Sequence, residues 1–217
     1  MLSNEQKERM LKESLELREQ MFGDTSIYIA TGIDKLVDFY ISQYRYEKAE
    51  PLLLQVVAIR KKELGEEHYD YIESVNQLAL VYYWQQMYAY AEPLFQQVLV
   101  YYKQQVGDKH VYYANALSDL ATVYFEQRQY EKAEPLFQQV LFITKETVGE
   151  QHPDYATSLS NMAVLYFEQG RLEEAANLAK QSLSILEETV GEQHPIYAKV
   201  LNNLAVVIPN NFGLTFI

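Results

Sequence analysis

The chain has 217 residues, 48% of them hydrophobic, and 30 acidic against 18 basic side chains leave a formal charge of −12 at pH 7. That balance excludes nucleic-acid and anionic-membrane surfaces, which need a basic footprint, and no run of about 18 apolar residues is present to span a bilayer. Cysteine is absent, which excludes disulfides, thiolate metal sites and a cysteine nucleophile; with a polar opening unlike a signal peptide, a cytoplasmic setting is expected.

The first predicted element is a helix at 4–22. It aligns with the second helix of later units (Leu11 with Leu53, Leu15 with Val57, Leu17 with Ile59), so the chain opens half-way through a unit. Gly23 begins a series with Gly65, Gly107, Gly149 and Gly191, each 42 residues from the last without insertion or deletion. Four units of two helices each follow, at about 27–64, 69–106, 111–148 and 153–190. In each, apolar residues recur at helical spacing, as at Ala156, Leu159, Met162, Ala163 and Tyr166. Pro153 and Pro195 mark helix starts, and each glycine is expected to close a helix in left-handed geometry. Pro51, Pro93 and Pro135 lie a few residues inside second helices, where a tolerated start with a slight bend is expected. No window alternates with period two, so no strand is predicted.

The last predicted helix spans 195–208, with Leu201, Leu204 and Ala205 on an apolar face, and an apolar, repeat-less tail follows at 209–217. Either the tail folds back on that helix or the chain is a fragment of a longer array, and the fragment reading is favoured. Residues 1–208 are thus expected to form one solenoid domain. A helix pair of this kind cannot bury its apolar face alone and must stack on neighbours. Alanines at 49, 91, 133 and 175 permit close approach, and some of the 19 tyrosines fill the wider gaps.

The 42-residue units resemble tetratricopeptide repeats of the kinesin light chain type. The third unit carries the pattern as Leu117, Leu120, Ala121, Tyr124, Tyr130, Ala133, Phe137 and Val140; the second as Val75, Leu78, Ala79, Tyr82, Tyr88, Ala91, Phe95 and Val98. The fourth departs, with Leu172, Ala179 and Ser182 in place of Tyr, the aromatic and Ala. The Gly-x-x-His-Pro phrase at Gly149 and Gly191 is similar to the linker of that type. The resemblance covers residues 5–208 and implies an all-α, right-handed superhelical solenoid of stacked antiparallel helix pairs.

Chemistry has few residues to stand on. His68, His110, His152 and His194 recur in the inter-repeat turns. Ligands must converge within about 2.0–2.1 Å of one ion, whereas stacked pairs lie on the order of 10 Å apart; a capping role is the expectation. Paired acids such as Glu173-Glu174 and Glu187-Glu188 do not face each other on a helix. There is no phosphate loop, serine elbow or His-Glu-x-x-His pair. No cofactor, no metal and no enzymatic activity are expected.

The resemblance implies a concave groove lined by the first helices. Carried onto this sequence, the candidate residues are Thr31, Asp34, Asp38, Ile41 and Ser42 in the first unit, and Glu73, Asn76, Leu80, Tyr83 and Trp84 in the second. The third gives Asn115, Ser118, Thr122, Phe125 and Glu126, and the fourth Thr157, Ser160, Val164, Phe167 and Glu168. The competing reading is that Tyr83, Phe125 and Phe167 merely pack between first helices. Asp34, Asn76, Ser118 and Ser160 stand at groove positions where relatives that grip a C-terminal carboxylate use lysine, asparagine and arginine; with no cation among the four, that clamp is not expected. The expected role is a non-enzymatic protein-interaction module, taking a basic peptide with an apolar or aromatic anchor. The alternative is a structural spacer, or self-association through the terminal helices.

Overall fold

The computed structural model describes residues 3–23, 26–205 and 207. Those residues form ten helices and no strand: α1 Asn4–Phe22, α2 Ile27–Ser42, α3 Tyr46–Leu64, α4 Tyr69–Trp84, α5 Tyr88–Val106, α6 Val111–Glu126, α7 Tyr130–Val148, α8 Pro153–Glu168, α9 Leu172–Thr189 and α10 Pro195–Leu204. The 42-residue period is therefore a period of helix pairs, with 16-residue first helices in α2, α4, α6 and α8. The expected last helix, 195–208, stops at Leu204. The tail at 209–217 lies outside the described residues.

Helix starts follow from local hydrogen bonding. Ser3 and Gln6 form a reciprocal capping box at α1. Four imidazoles cap first helices: the N–H groups of Asp70, Tyr112, Asp154 and Ile196 donate to Nδ1 of His68, His110, His152 and His194 at 3.1–3.2 Å.

The glycines close the second helices in a different way from the expected left-handed turn. Gly65 has φ 85° and ψ 166°, and Gly149 has φ 88° and ψ 163°. This region is open almost only to glycine. Each N–H still bonds four residues back, to Lys61 and Lys145 respectively, at 3.1 Å. The left-handed residues sit instead between the two helices of each pair: Tyr44, Gln86 and Arg128 at φ 56–60°, with Gly170 at φ 77° in the fourth. The three interior prolines, at the sixth residue of α3, α5 and α7, are carried by helices that run on past them.

Contacts divide the chain into two compact units, Met1–Tyr101 and Tyr102–Ile217. In the first, Ile29, Ile33, Leu53, Ile72 and Phe95 are fully enclosed, and burying such side chains contributes about 1.5–3 kcal/mol each. Helix α1 buries no residue; it rests on α2 where Gly32 lacks a Cβ that would otherwise come within 2.9 Å of Arg18 Cδ. In the second unit, Ala121, Ala133, Phe137, Met162 and Leu165 form one cluster. Leu159, Ala175, Leu186, Val200, Leu204 and Val207 belong to another, spanning α8, α9 and α10. Leu204 is thus wholly buried rather than on an open face, while Ala205 is exposed. Alanines 49, 91, 133 and 175 are all at 0% exposure, as the close approach of paired helices requires.

Candidate peptide-binding surface

Each first helix presents its candidate residues in turn. In the first unit, Asp38 is exposed and Asp34 is half-buried. Asp34 is not an open acid: Nη2 of Arg60, from α3, lies 2.5 Å from its Oδ2, and Nη1 of the same guanidinium donates to Ser74 Oγ at 2.6 Å. Oδ1 of Asp34 is buried without a partner, and burial outweighs Arg60 in pushing its carboxyl above the usual value. The cation beside this position, Arg60, comes from the second helix, 26 residues along the chain, and is taken up by Asp34 itself. On α4, Glu73, Asn76, Leu80 and Tyr83 are half-buried. Tyr83 packs on Tyr88 with ring centroids 5.9 Å apart. Trp84 stacks on Tyr46 at 5.2 Å with 39% of its surface exposed.

In the second unit, Asn115 and Glu126 of α6 are exposed, while Ser118, Thr122 and Phe125 are half-buried. Thr122 spends its hydroxyl on the Ser118 carbonyl at 2.7 Å, and Phe125 packs on Tyr130 at 5.7 Å. On α8, Thr157 donates to the Pro153 carbonyl at 3.0 Å. Val164 and Phe167 pack partly into the core cluster. Glu168 is exposed and accepts from the Tyr130 hydroxyl at 3.2 Å. Ser160 stands apart from the rest of the set: it is fully enclosed at 0% exposure, with no hydrogen bond to its Oγ.

Sequence reasoning missed four contributors. Arg60 belongs to a second helix and is buried. Tyr46 and Tyr130 open second helices yet brace Trp84, Phe125 and Glu168. Asp119, next to Ser118, has its carboxyl pushed up to about 6 by burial alone. A residue-by-residue mapping of first-helix positions finds none of these; counting buried charges along the repeat register finds Arg60 and Asp119.

Two open cavities of the second unit lie away from these residues. One of about 330 Å³ is lined by Leu141, Phe142, Lys145, Tyr155, Met162 and Leu178, among others. The other, of about 480 Å³, is bordered by Glu150, Tyr155, Lys180, Ser184 and Glu188. Among the described residues no cluster of three or more His, Cys, Asp or Glu could hold a metal ion, and no helix is long and apolar enough to cross a membrane.

Sequence models of the tetratricopeptide repeat match residues 29–70, 71–146, 120–188 and 154–207. Among solved structures, the kinesin light chain nearly identical TPR-like repeats of Podosopora anserina share 27% identity at a TM-score of 0.69, over 84% of this chain and 86% of that one. A point variant of those repeats gives 28% and 0.68, over 82% and 84%. BtubC (BKLC) from P. vanneervenii shares the fold at 18% identity and a TM-score of 0.71, over 95% of this chain and 86% of the other. No curated protein matches the sequence.

Proposed function

The chain belongs to the tetratricopeptide repeat family, whose arrays generally mediate protein–protein interaction and are typically non-enzymatic scaffolds, and on that premise we propose that it captures peptide segments along its first helices. The observation that carries the reading is a set of aromatic rings held half-open by neighbours beside acids. Trp84 lies on Tyr46 in one unit, and Phe125 on Tyr130 with Glu126 and Glu168 in the other. Rings fixed in this way lose little entropy on binding, and acidic surroundings steer cationic partners. The partner is a peptide with Lys or Arg flanking an apolar or aromatic residue, met in the cytoplasm. Asp34 and Ser160 contribute little, since one is paired and the other enclosed. The test is a fluorescence titration with such peptides at two salt concentrations. Trp84 emission should respond, added salt should weaken binding, and Phe125→Ala should cost more affinity than Glu126→Gln. Salt-insensitive binding of an acidic peptide, or binding lost with Phe142→Ala on the cavity side, would overturn it.

A second reading, self-association through terminal helices, rests on α1. Met10, Leu17 and Met21 are 55%, 61% and 72% exposed, and spacings of seven and four place them on one helix face. A concentration-dependent dimer abolished by Leu17→Lys would establish it; a monomer at high concentration would remove it.

A further inference from the structure

A tyrosine in the last turn of each first helix recurs at 42-residue intervals, as Tyr40, Tyr82, Tyr124 and Tyr166. In three of the four units the chain lays its own cation on that ring. Arg45 Cζ lies 4.8 Å and Lys48 Nζ 5.7 Å from the centroid of Tyr40. Lys132 Nζ lies 5.1 Å from Tyr124, and Arg171 Cζ only 3.5 Å from Tyr166. In two of these the cation also meets a carboxylate from the preceding second helix: Arg45 bridges Glu8 at 2.5 Å, and Arg171 bridges Glu134 at 2.9 Å. Ring, carboxylate and cation form one device, since a partly desolvated cation gains from both a π-face and an anion.

The repeat at 69–106 keeps two of the three parts. Tyr82 is present, and Glu50 stands in the register of Glu8 and Glu134. Gln85 donates to Glu50 Oε2 at 2.9 Å, as Gln169 does to Glu134 Oε2 at 3.0 Å. Glu50 also lies near enough to raise the Tyr82 hydroxyl's pKa, after burial. The turn itself is unchanged: the N–H of residue 87 bonds the Tyr82 carbonyl at 2.8 Å, as Arg45 does to Tyr40 at 2.9 Å and Arg171 to Tyr166 at 2.8 Å. What differs is the side chain. Met87 replaces the arginine, and Tyr90 replaces the lysine of positions 48 and 132, its ring 5.5 Å from Tyr82 and 59% exposed. Tyr82, Tyr90 and Glu50 thus stand together in the repeat whose register positions 87 and 90 carry no cation.

We propose that Glu50, Tyr82, Met87 and Tyr90 form a receptor for an arginine side chain of a protein partner, supplied in trans where the other units supply their cation in cis. The planar guanidinium suits the site better than an ammonium, because it can stack on Tyr90 while donating to the carboxylate. The site goes beyond the peptide surface on the first helices, since none of its residues is in that set.

The chain has five methionines, so a methyl-labelled sample gives few signals and Met87→Leu assigns the relevant one. The probe is acetyl-Gly-Gly-Arg-Gly-Gly-amide, with the citrulline peptide as an uncharged control of equal shape. The Met87 methyl should shift saturably with the arginine peptide and not with citrulline. Glu50→Gln should weaken this at least about ten-fold, the loss expected for a charge-assisted bond, while Glu47→Gln on the same helix should not. Met87→Arg, which restores the internal cation, should abolish binding and raise the melting temperature. An unshifted Met87 methyl at millimolar peptide, or undiminished binding in folded Met87→Arg, would overturn the proposal. Phe125→Ala, which impairs the first-helix surface, should leave this signal intact, so the two readings fail separately.

Discussion

Asp119→Asn tests whether burial alone governs the one carboxyl of α6 held close to neutral pH. The Asp119 carboxyl is pushed from its ordinary 3.8 up to about 6 by burial. A raised acid binds its proton more tightly in the folded than in the unfolded chain. Its contribution is therefore most favourable below about pH 3.8 and is lost as pH climbs through about 6. Each tenfold change in proton affinity corresponds to about 1.4 kcal/mol, so the charged form weakens the fold by roughly 3 kcal/mol at pH 7.5 relative to pH 3.5. Asparagine keeps the shape and cannot ionise. Its own burial has a fixed cost, about 1–3 kcal/mol if unbonded, but that cost does not vary with pH. The stability of the variant minus that of the parent should thus rise by roughly 3 kcal/mol between the two pH values, whatever its absolute sign. Urea unfolding followed by circular dichroism measures this difference, and carbon-13 NMR of the carboxyl reads the titration directly. A midpoint near 4 together with a flat difference would refute the reasoning.

Two further outcomes follow from the backbone and from the buried ion pair. Gly149→Ala forces an L-residue to φ 88° and ψ 163°, at about 1–3 kcal/mol; Arg128→Gly, relieving φ 58° at the other end of α7, should be near neutral or slightly stabilising, so hydrogen exchange across 130–148 should quicken in the first variant and stay unchanged or slow in the second. Arg60→Met strands the half-buried Asp34 carboxylate and should cost about 3–5 kcal/mol, most of it recovered in Asp34→Asn/Arg60→Met; equal losses in the single and the double variant would show that the bridge is not what holds these two side chains.

The helix pairs were legible because a 42-residue period without gaps leaves few ways to place their boundaries. The glycine, proline and histidine signals act within one turn, where sequence and geometry are closely tied. The conformation of the glycines was not legible. Positive φ follows from the residue type, but ψ near 160° is set by the direction in which the next capped helix departs. Which residue takes the left-handed place between paired helices was equally hidden, since three of the four are Tyr, Gln and Arg, and only Gly170 announces it.

The candidate surface was legible by position and misread by state. Asp34 and Ser160 occupy the same register, yet one is neutralised from behind by Arg60 and the other is sealed in. A register fixes where a Cα stands, whereas charge and exposure depend on what the adjoining helix sends towards it. Arg60 holds a position that Tyr102, Thr144 and Leu186 occupy in the later units, and only the arginine can reach across to quench an acid. The same variation at a fixed place separates Met87 from Arg45 and Arg171. In a chain built by repetition, the backbone is common to all units, so function must reside in positions where one unit departs from the others. The departure at Met87 and Tyr90 sets a methionine and a second ring beside Glu50 and Tyr82 where the first and fourth repeats carry Arg45 and Arg171, and it is on that departure that the proposed arginine site rests.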